Sequence, residues 1–443
     1  MKRQLHLNLF IQGRGSHEAA WRHPLSSTAE LTDISYYQNL ARRAEAGLFD
    51  SIFFADQLTT NTAQTKSAKA LQVWLEPITM LAAIAVATTR IGLIATGSST
   101  YTEPFNLARQ FASIDHISQG RAGWNIVTSW MAAAARNFGD TGQLSHSERY
   151  ALAEEHVQIV KGLWDSWADD TIIDDRQNAV FANTDRIRPI DFKGEYFNVA
   201  GPLNLPRGPQ GHPVLVQAGS SEDGRGFAAR HAEAVFTAHL EKTTAQAFYS
   251  DMKKRVAAEG RRPDQVLILP GLCPTIASTE AEAKRLLLEL SNYADVEIAV
   301  KYLGTWFGGH DFSHLPLDRP LTVADFPDLS NIETSKSRTE MVINLIKREE
   351  ITLRELLARF AHIGGHYLFA GTAEQVADLI EDWFLDGAAD GFNLMPPLLP
   401  TMLDIFIDEV VPLLQRRGLF RTEYQGTTLR EHYGLERPAS VFV

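Results

Sequence analysis

The segment Ala218-Gly219-Ser220-Ser221 has the composition of an anion-binding turn. It follows a short apolar run and precedes a helix-like segment. A glycine lets the backbone approach a ligand closely, and the free N–H groups at a helix start attract negative charge. Two serine hydroxyls and Arg225 can add hydrogen bonds, so phosphate is a suitable ligand. The alternative is that Ser220 only caps the helix, and spacing alone leaves both interpretations open.

Polar side chains also stand where three other predicted strands end. They are Asp56, Thr96, Asn125, Thr128 and Ser129. The carboxyl ends of parallel strands meet at one rim of a barrel, where enzymes of this architecture carry their sites. Together these side chains could hydrogen-bond the polar edge of a heterocycle. The alternative is ordinary rim polarity, since every strand end must meet water.

Two histidines are further candidates for chemistry. His146 and Tyr150 lie four residues apart on one face of a predicted helix start, from which they could reach a phosphate or a sugar hydroxyl. The alternative is a capped, half-exposed helix turn. His310, with His314 nearby, lies in an irregular segment and could act as an acid, a base or a donor near neutral pH. The alternative is a solvated loop histidine.

Other kinds of chemistry lack their sequence signatures. No metal site is predicted, because no H-E-x-x-H motif is present, and a serine hydrolase would need a G-x-S-x-G elbow that is also missing. Cys273 is the single cysteine among 443 residues, which excludes an internal disulfide and a multi-cysteine metal site. The net charge of −12 argues against nucleic acid or an anionic membrane as a partner.

No segment of the sequence reads as a membrane or export signal. The first residues carry two basic side chains without a following apolar stretch, unlike a secretory signal. The most apolar run, Ile78 to Thr89, is too short to cross a bilayer. We therefore expect a cytoplasmic protein with no membrane contact.

Eight short apolar runs alternate with helical patterns along the chain, as in a parallel α/β domain. The predicted strands are 5–11, 49–55, 91–96, 120–129, 212–219, 234–237, 266–270 and 390–394. The predicted helices include 33–46, 78–89, 105–117, 145–167, 338–347, 353–362, 371–387 and 402–416. This pattern predicts one (β/α)8 TIM-like barrel domain spanning residues 1–443.

Three insertions interrupt the pattern, near 59–75, 168–211 and 293–362. The two longer ones follow strand-like segments, so they can cover the C-terminal face of the barrel as lids. A doubly wound sheet is the alternative fold. It usually carries a glycine-rich fingerprint after its first strand, whereas Gly13-Arg14-Gly15 lacks a third glycine and a following helix.

The stretch 120–129, Gly-Arg-Ala-Gly-Trp-Asn-Ile-Val-Thr-Ser, strongly resembles the bacterial luciferase-like flavin monooxygenases. The similar branch of that family holds nitrilotriacetate monooxygenase component A and dibenzothiophene-sulfone monooxygenase. The resemblance continues through the segments 135–139, 148–150, 201–203, 216–221, 371–375, 389–392 and 420–424. It therefore covers nearly the whole chain and departs mainly in the insertions.

The resemblance implies a two-component monooxygenase. A separate NAD(P)H:flavin reductase would supply reduced FMN, which reacts with O₂ to give a flavin (hydro)peroxide. That species would oxygenate a small organic substrate at a C–S or C–N bond. The resemblance also implies a homodimer or a homotetramer.

The resemblance assigns a role to each matching residue. Gly219, Ser220 and Ser221, within the motif that begins at Gln217 and Ala218, would hold the FMN phosphate. His146 and Tyr150 would contact the phosphate or the ribityl chain. Asp56, Thr96 and Asn125 would face the flavin ring, with Thr128 and Ser129 behind it. His310 matches an active-site histidine of the sulfone-oxidising members. Phe10, Phe54 and Trp124 are candidates for an apolar substrate-pocket wall, with core packing as the alternative.

Two other functions fit the same barrel. One is a deazaflavin-dependent oxidoreductase that transfers hydride, which the motif from Trp124 to Ser129 disfavours. The other is a non-catalytic flavin-binding protein, which the full set of polar strand ends disfavours.

Overall fold

The computed structural model describes residues 3–60, 73, 75–139, 144–293, 295–329, 336–360 and 365–440. Its main sheet contains nine parallel strands. They are β1 (His6–Phe10), β2 (Ser51–Phe54), β3 (Gly92–Ser98) and β4 (Ala122–Val127), then, after two short hairpins, β9 (Val214–Gln217), β10 (Ala234–Thr237), β11 (Leu267–Ile276), β12 (Tyr367–Gly371) and β13 (Gly391–Leu394). The hairpin strands are β5 (Ile172–Asp175), β6 (Val180–Ala182), β7 (Phe192–Lys193) and β8 (Asn198–Val199).

Eight of the parallel strands close into a barrel. Their order is β1-β2-β3-β4-β9-β10-β11-β13, and β13 pairs back onto β1. All eight correspond to runs predicted from the sequence, so the predicted (β/α)8 fold is confirmed. The order also means that β2 lies across the barrel from β10, and β3 across from β11.

The ninth strand, β12, was not predicted. It pairs with residues 272–276 of β11, beyond the four residues of β11 that pair with β10. The run Tyr367-Leu368-Phe369-Ala370 has the aromatic and apolar composition of a strand and could have revealed it. The long β11 thus carries the sheet past the rim of the barrel.

Helices surround the barrel and lie between its strands. They are α1 (Ile34–Ala46), α2 (Pro77–Ala85), α3 (Pro104–Ile117), α4 (Ala132–Ala135), α5 (His146–Trp164), α6 (Glu222–His231), α7 (Lys242–Ala258), α8 (Glu280–Asn292), α9 (Val296–Trp306), α10 (Lys336–Arg348), α11 (Leu353–Phe360), α12 (Ala373–Leu385), α13 (Thr401–Ile405), α14 (Val411–Arg416) and α15 (Leu429–His432). Among the described residues, no helix is long and apolar enough to cross a membrane.

Local signals explain where several helices begin and end. Capping boxes at Ser145–Glu148 and Thr372–Gln375 open α5 and α12. Pro104 opens α3 at a position where its missing N–H costs nothing. The predicted closing helix is interrupted by a π-helical turn at Phe406–Val410, just before Pro412. Proline has no N–H to donate to the preceding turn, which accounts for the irregularity.

The amino end of the barrel is sealed by the C-terminal segment. Leu429 and Tyr433 belong to the apolar cluster inside the barrel. Gly123 leaves room for the Leu429 side chain, since a Cβ at position 123 would lie 3.2 Å from it. Tyr433 donates a hydrogen bond to Asn8 Oδ1 at 2.9 Å. A ligand must therefore enter from the opposite, carboxyl end of the strands.

The insertions add structure around that open end. Within 168–211, β5 pairs with β6 and β7 pairs with β8. Helices α9, α10 and α11 pack on one another around a separate apolar cluster that includes Trp306, Phe312 and Leu353. Helix α9 lies within the insertion predicted near 293–362 and is not among the predicted helices. Most of the predicted insertion at 59–75 lies outside the described residues.

Candidate active site

A cavity of about 320 Å³ opens at the carboxyl ends of the barrel strands. Eleven of the residues predicted to bind a cofactor line it: Asp56, Thr96, Thr128, Ser129, His146, Tyr150, Gln217, Ala218, Gly219, Ser220 and Ser221. Residues that the sequence analysis did not single out also line it, among them Ser98, Ile126, Arg149, Phe236, Thr237, Arg338, Met341 and His366. One cavity thus joins segments that are far apart in the sequence.

The turn after β9 is built too tightly for a side chain at Gly219. A Cβ there would collide with the Gln217 amide and lie 2.6 Å from the Tyr150 hydroxyl. Ser221 is the N-cap of α6, and its Oγ accepts a hydrogen bond from Gly224 N at 3.2 Å. The alternative interpretation, in which Ser220 caps the helix, was therefore wrong. The Ser220 side chain lines the cavity and is not the N-cap of α6.

The start of α5 faces this turn. His146 Nε2 lies 3.3 Å from Ser221 Oγ, and its Nδ1 lies 2.8 Å from a carboxylate oxygen of Asp223. Burial raises the pKa of Tyr150, so the phenol stays protonated and can donate a hydrogen bond. Arg149 is fully buried and lines the cavity, which places a cation beside the turn. Arg149 lies within the segment 148–150, which carries part of the family resemblance. Its position in that segment was the sequence feature that could have identified it as a cavity residue.

A chain of hydrogen bonds runs behind the rim at β3 and β4. Thr96 Oγ1 donates to Phe54 O at 3.0 Å, and Asn125 Nδ2 donates to Thr96 Oγ1 at 2.8 Å. Asn125 does not line the cavity itself but lies buried directly behind Thr96. Its Oδ1 has no hydrogen-bond partner among the described residues, and neither does Gln217 Oε1. Buried acceptors left open in this way are suited to N–H groups of a ligand.

Two further polar groups complete this side of the cavity. Ser129 has a left-handed backbone, with φ of 34°, and its hydroxyl lies 2.7 Å from that of Ser98. Strained backbone of this kind persists where surrounding contacts fix it, often at sites of function. Burial raises the pKa of the Asp56 carboxyl above its ordinary value.

The side across the barrel is formed by aromatic and basic residues. His366 stacks on Phe236 of β10, with ring centroids 4.8 Å apart and an interplanar angle of 13°. It lies over Gly271 of β11, where a Cβ would collide with its Nδ1. Burial lowers the pKa of His366 to about 3, so the ring is neutral at physiological pH. A histidine directly before a strand-like run was the only sequence signal.

Four expectations about the pocket are not met. Trp124 and Asn125 are consecutive in β4, so their side chains point to opposite faces of the sheet. Trp124 faces the helices, donates to Gly97 O at 3.0 Å and packs on Phe111 and Trp164. Phe54 likewise packs outward on Tyr37. Both belong to the core, as their alternative interpretation held.

Phe10 and His310 also lie off the cavity wall. Phe10 is inside the barrel, in contact with Phe53 and Phe236, but below the cavity rather than on its surface. His310 packs beside Phe312 in the chain after α9, with ring centroids 4.7 Å apart. The histidines that do line the cavity are His146 and His366. Among the described residues, no cluster of three or more potential metal ligands occurs.

The fold and the site define a (β/α)8-barrel enzyme with a polar cavity at the carboxyl ends of its strands. Residues 14–390 match the family model for luciferase-like monooxygenase, and the chain belongs to that family. The chain is accordingly a flavin-dependent monooxygenase that acts with reduced flavin and O₂.

Full-length relatives support this assignment. The chain is 46% identical to N-acetyl-S-(2-succino)cysteine monooxygenase from Bacillus subtilis (strain 168), over 99% of this chain and 98% of the relative. It is 44% identical to nitrilotriacetate monooxygenase component A from Aminobacter aminovorans, over 98% and 97% of the two chains. Among solved structures, EDTA monooxygenase from Chelativorans sp. BNC1 is similar, with a TM-score of 0.79, 36% identity and coverage of 98% and 99%.

Proposed function

We propose that the flavin is FMN, that a separate NAD(P)H:flavin reductase supplies it in reduced form, and that the substrate is a small organic compound oxygenated at a C–S or C–N centre. The observation that carries the proposal is the coexistence, in one cavity, of an anion-binding turn and a buried acceptor without a partner among the described residues, Gln217 Oε1. FMN has a phosphate at one end and a ring with a polar N–H edge at the other.

The turn after β9 suits the phosphate. Gly219 lets Gln217 and Tyr150 approach the turn closely, while Ser220 and Ser221 line the cavity beside it. Arg149 and the Tyr150 phenol add a cation and a donor. The acidic residues at the start of α6 do not oppose an anion strongly, because Asp223 pairs with His146 and Glu222 pairs with arginines.

The open acceptors suit the ring. Gln217 Oε1, at the end of β9, lines the cavity and can accept from a ring N–H group. Asn125 Oδ1 lies on the neighbouring strand β4, behind Thr96, and we propose that the bound ring extends to it. When bound, the reduced flavin supplies the electrons and activates O₂ so that one oxygen atom enters the substrate. The apolar wall of Ile126, Phe236 and Met341 excludes water from the reacting centre.

The proposal is tested by mixing the protein with chemically reduced FMN and then with air. We expect a transient absorbance that belongs to neither reduced nor oxidised FMN. Tight binding of a reduced deazaflavin with no such transient would favour the hydride-transfer alternative. Flavin binding without turnover of any substrate would favour a non-catalytic flavin-binding protein.

A second experiment locates the phosphate. We expect Ser221→Ala to weaken FMN binding by about 1.5–3 kcal/mol, the value of a charge-assisted hydrogen bond. Thr279→Ala is the matched control, because Thr279 caps α8 away from the cavity in the same way that Ser221 caps α6. Equal FMN affinity in wild type and Ser221→Ala would place the phosphate elsewhere.

The reductase and the substrate are tested together. Sulfones, aminopolycarboxylates and alkyl sulfides are screened with a generic flavin reductase held behind a dialysis membrane. Because reduced FMN diffuses, a product heavier by one oxygen atom, or its cleavage fragments, should still form. Turnover that requires direct contact between the two proteins would contradict this delivery.

We further propose that the chain is one domain that works in the cytoplasm as a homodimer or a homotetramer, as its family resemblance suggests. Light scattering of the purified protein, cell fractionation and a single calorimetric unfolding transition test the three statements. A monomer in solution would refute the assembly without affecting the chemistry.

A further inference from the structure

One of the two arginines that line the cavity, Arg338, belongs to the insertion at 293–362. Arg338 lies near the start of α10 and lines the cavity. Its guanidinium lies over the Trp306 ring, 5.2 Å from the centroid. Among the described residues, no carboxylate forms an ion pair with Arg338. A cation held on an aromatic face beside a cavity is available to a ligand.

The other arginines of the same insertion behave differently. Each of them pairs with a carboxylate at 2.6–2.9 Å: Arg319 with Asp325, Arg348 with Glu241, Arg354 with Asp318 and Arg359 with Glu349. These pairs lie on the exposed side of the insertion. Among the described arginines of this insertion, Arg338 is thus the one that lacks an ion pair with a described carboxylate, and it is also the one that lines the cavity.

The described groups around Arg338 do not offset its charge. Burial lowers the pKa of His366 to about 3, and the Arg338 charge adds to this effect. Burial also lowers the pKa of His239 to about 4, so both rings are neutral. The one carboxylate among the lining residues is Asp56, which follows β2 on the far side of the barrel from β10. The end of the cavity near Phe236 and His366 is therefore positive.

We propose that Arg338 binds a carboxylate of the substrate, and that the substrate class is small organic carboxylates bearing a thioether or amine centre. This inference rests on the proposed function of the same site. A guanidinium fits a carboxylate through two parallel hydrogen bonds, which fixes the orientation of the ligand as well as its charge. The turn at Gly219 then serves the cofactor, and Arg338 serves the substrate.

The names of the relatives are consistent with this class. Nitrilotriacetate, EDTA and N-acetyl-S-(2-succino)cysteine, named as substrates of the three similar enzymes, all carry several carboxylates. The arrangement around Arg338 gives a physical reason for such a preference in this chain. A neutral, apolar substrate would leave the guanidinium facing the cavity without a partner, which is unfavourable.

The test compares charged probes with neutral analogues by calorimetric titration in the presence of oxidised FMN. The probes are N-acetyl-S-(2-succino)cysteine and nitrilotriacetate, each paired with its full methyl ester. The variants are Arg338→Gln, Arg338→Lys and the control Arg354→Gln, which removes an exposed arginine of the same insertion. Thermal unfolding of each variant shows that it is folded.

We expect the wild type to bind at least one acid more than 10-fold tighter than its ester, on the order of one charge-assisted hydrogen bond. Arg338→Gln should lose this preference through weaker acid binding, Arg338→Lys should keep part of it, and Arg354→Gln should keep all of it. FMN affinity should be unchanged in each variant.

Three results would overturn the proposal. They are equal binding of acid and ester by the wild type, including no binding of either; an unchanged preference in Arg338→Gln; and a loss of FMN affinity in Arg338→Gln as large as in Ser221→Ala. The last result would assign Arg338 to the cofactor phosphate. All of these measurements need no turnover, so failure of the monooxygenase assay is a separate outcome.

Discussion

Replacing Asn125 with leucine tests whether this buried amide is kept for the ligand at the expense of stability. Among the described residues, the side chain makes one hydrogen bond, to Thr96 Oγ1, and its Oδ1 has no partner. Removing a hydrogen bond costs about 1 kcal/mol, whereas removing an unsatisfied buried acceptor gains about 1–3 kcal/mol. Leucine has a similar size and adds apolar burial. We therefore expect the ligand-free protein to be unchanged or stabilised by up to about 2 kcal/mol.

The same substitution should weaken flavin binding. If Asn125 Oδ1 accepts from the ring, its loss removes one hydrogen bond from a dry site, and we expect FMN affinity to fall about 10-fold or more. The assay combines urea unfolding of the ligand-free protein with fluorescence titration of FMN. The two measurements should move in opposite directions.

Asn8→Leu is the matched control in the same barrel. Both amide atoms of Asn8 are used, since its Nδ2 donates to Asn393 Oδ1 at 3.1 Å and its Oδ1 accepts from Tyr433 Oη at 2.9 Å. Leucine there leaves buried partners unpaired, so we expect a loss of about 2–5 kcal/mol with unchanged FMN affinity. If Asn125→Leu behaves like Asn8→Leu, the open acceptor is structural and the reasoning fails.

Three other outcomes follow from the contacts of single residues. Trp124→Ala should lower the free energy of unfolding by about 3–5 kcal/mol through cavity formation, as measured by denaturation, while the folded fraction still binds FMN. Loss of FMN binding in a variant that remains stable would show that Trp124 belongs to the binding site. Gly219→Ala should weaken FMN binding because Gln217 or Tyr150 must move, with little change in melting temperature; unchanged affinity would mean that the turn does not hold the phosphate. The pKa of His366, about 3 when folded, lies below its ordinary value, so the unfolded chain binds a proton first and stability falls as pH drops from about 6.5. His366→Asn should make that acid slope shallower by about 1.4 kcal/mol per pH unit, and an unchanged slope in urea titrations would show that His366 is not buried neutral.

Much of the barrel was predictable because its strands and helices obey local rules. Short apolar runs buried on both faces give parallel strands, and capping residues mark where the helices between them begin. Two elements that the sequence analysis did not predict, β12 and α9, have weaker local signals. β12 is a five-residue run just before a helix start, and α9 is an eleven-residue helix at the start of a predicted insertion. Their stability comes from tertiary partners, β11 and the cluster around Trp306.

The sequence by itself determined the barrel, the polar rim and the turn at Gly219, because strand ends and glycine turns depend on neighbouring residues. It could not determine which member of a consecutive pair faces the cavity. Trp124 and Asn125 have opposite roles that the pleat and the closure of the sheet decide. Only the tertiary structure brings Arg338 and His366 to the cavity, because Arg338 lies on an insertion packed by its own apolar cluster and His366 directly precedes β12. The polar residues of the rim are placed by their neighbours in the sequence, whereas the residues proposed to select a substrate are placed by long-range packing.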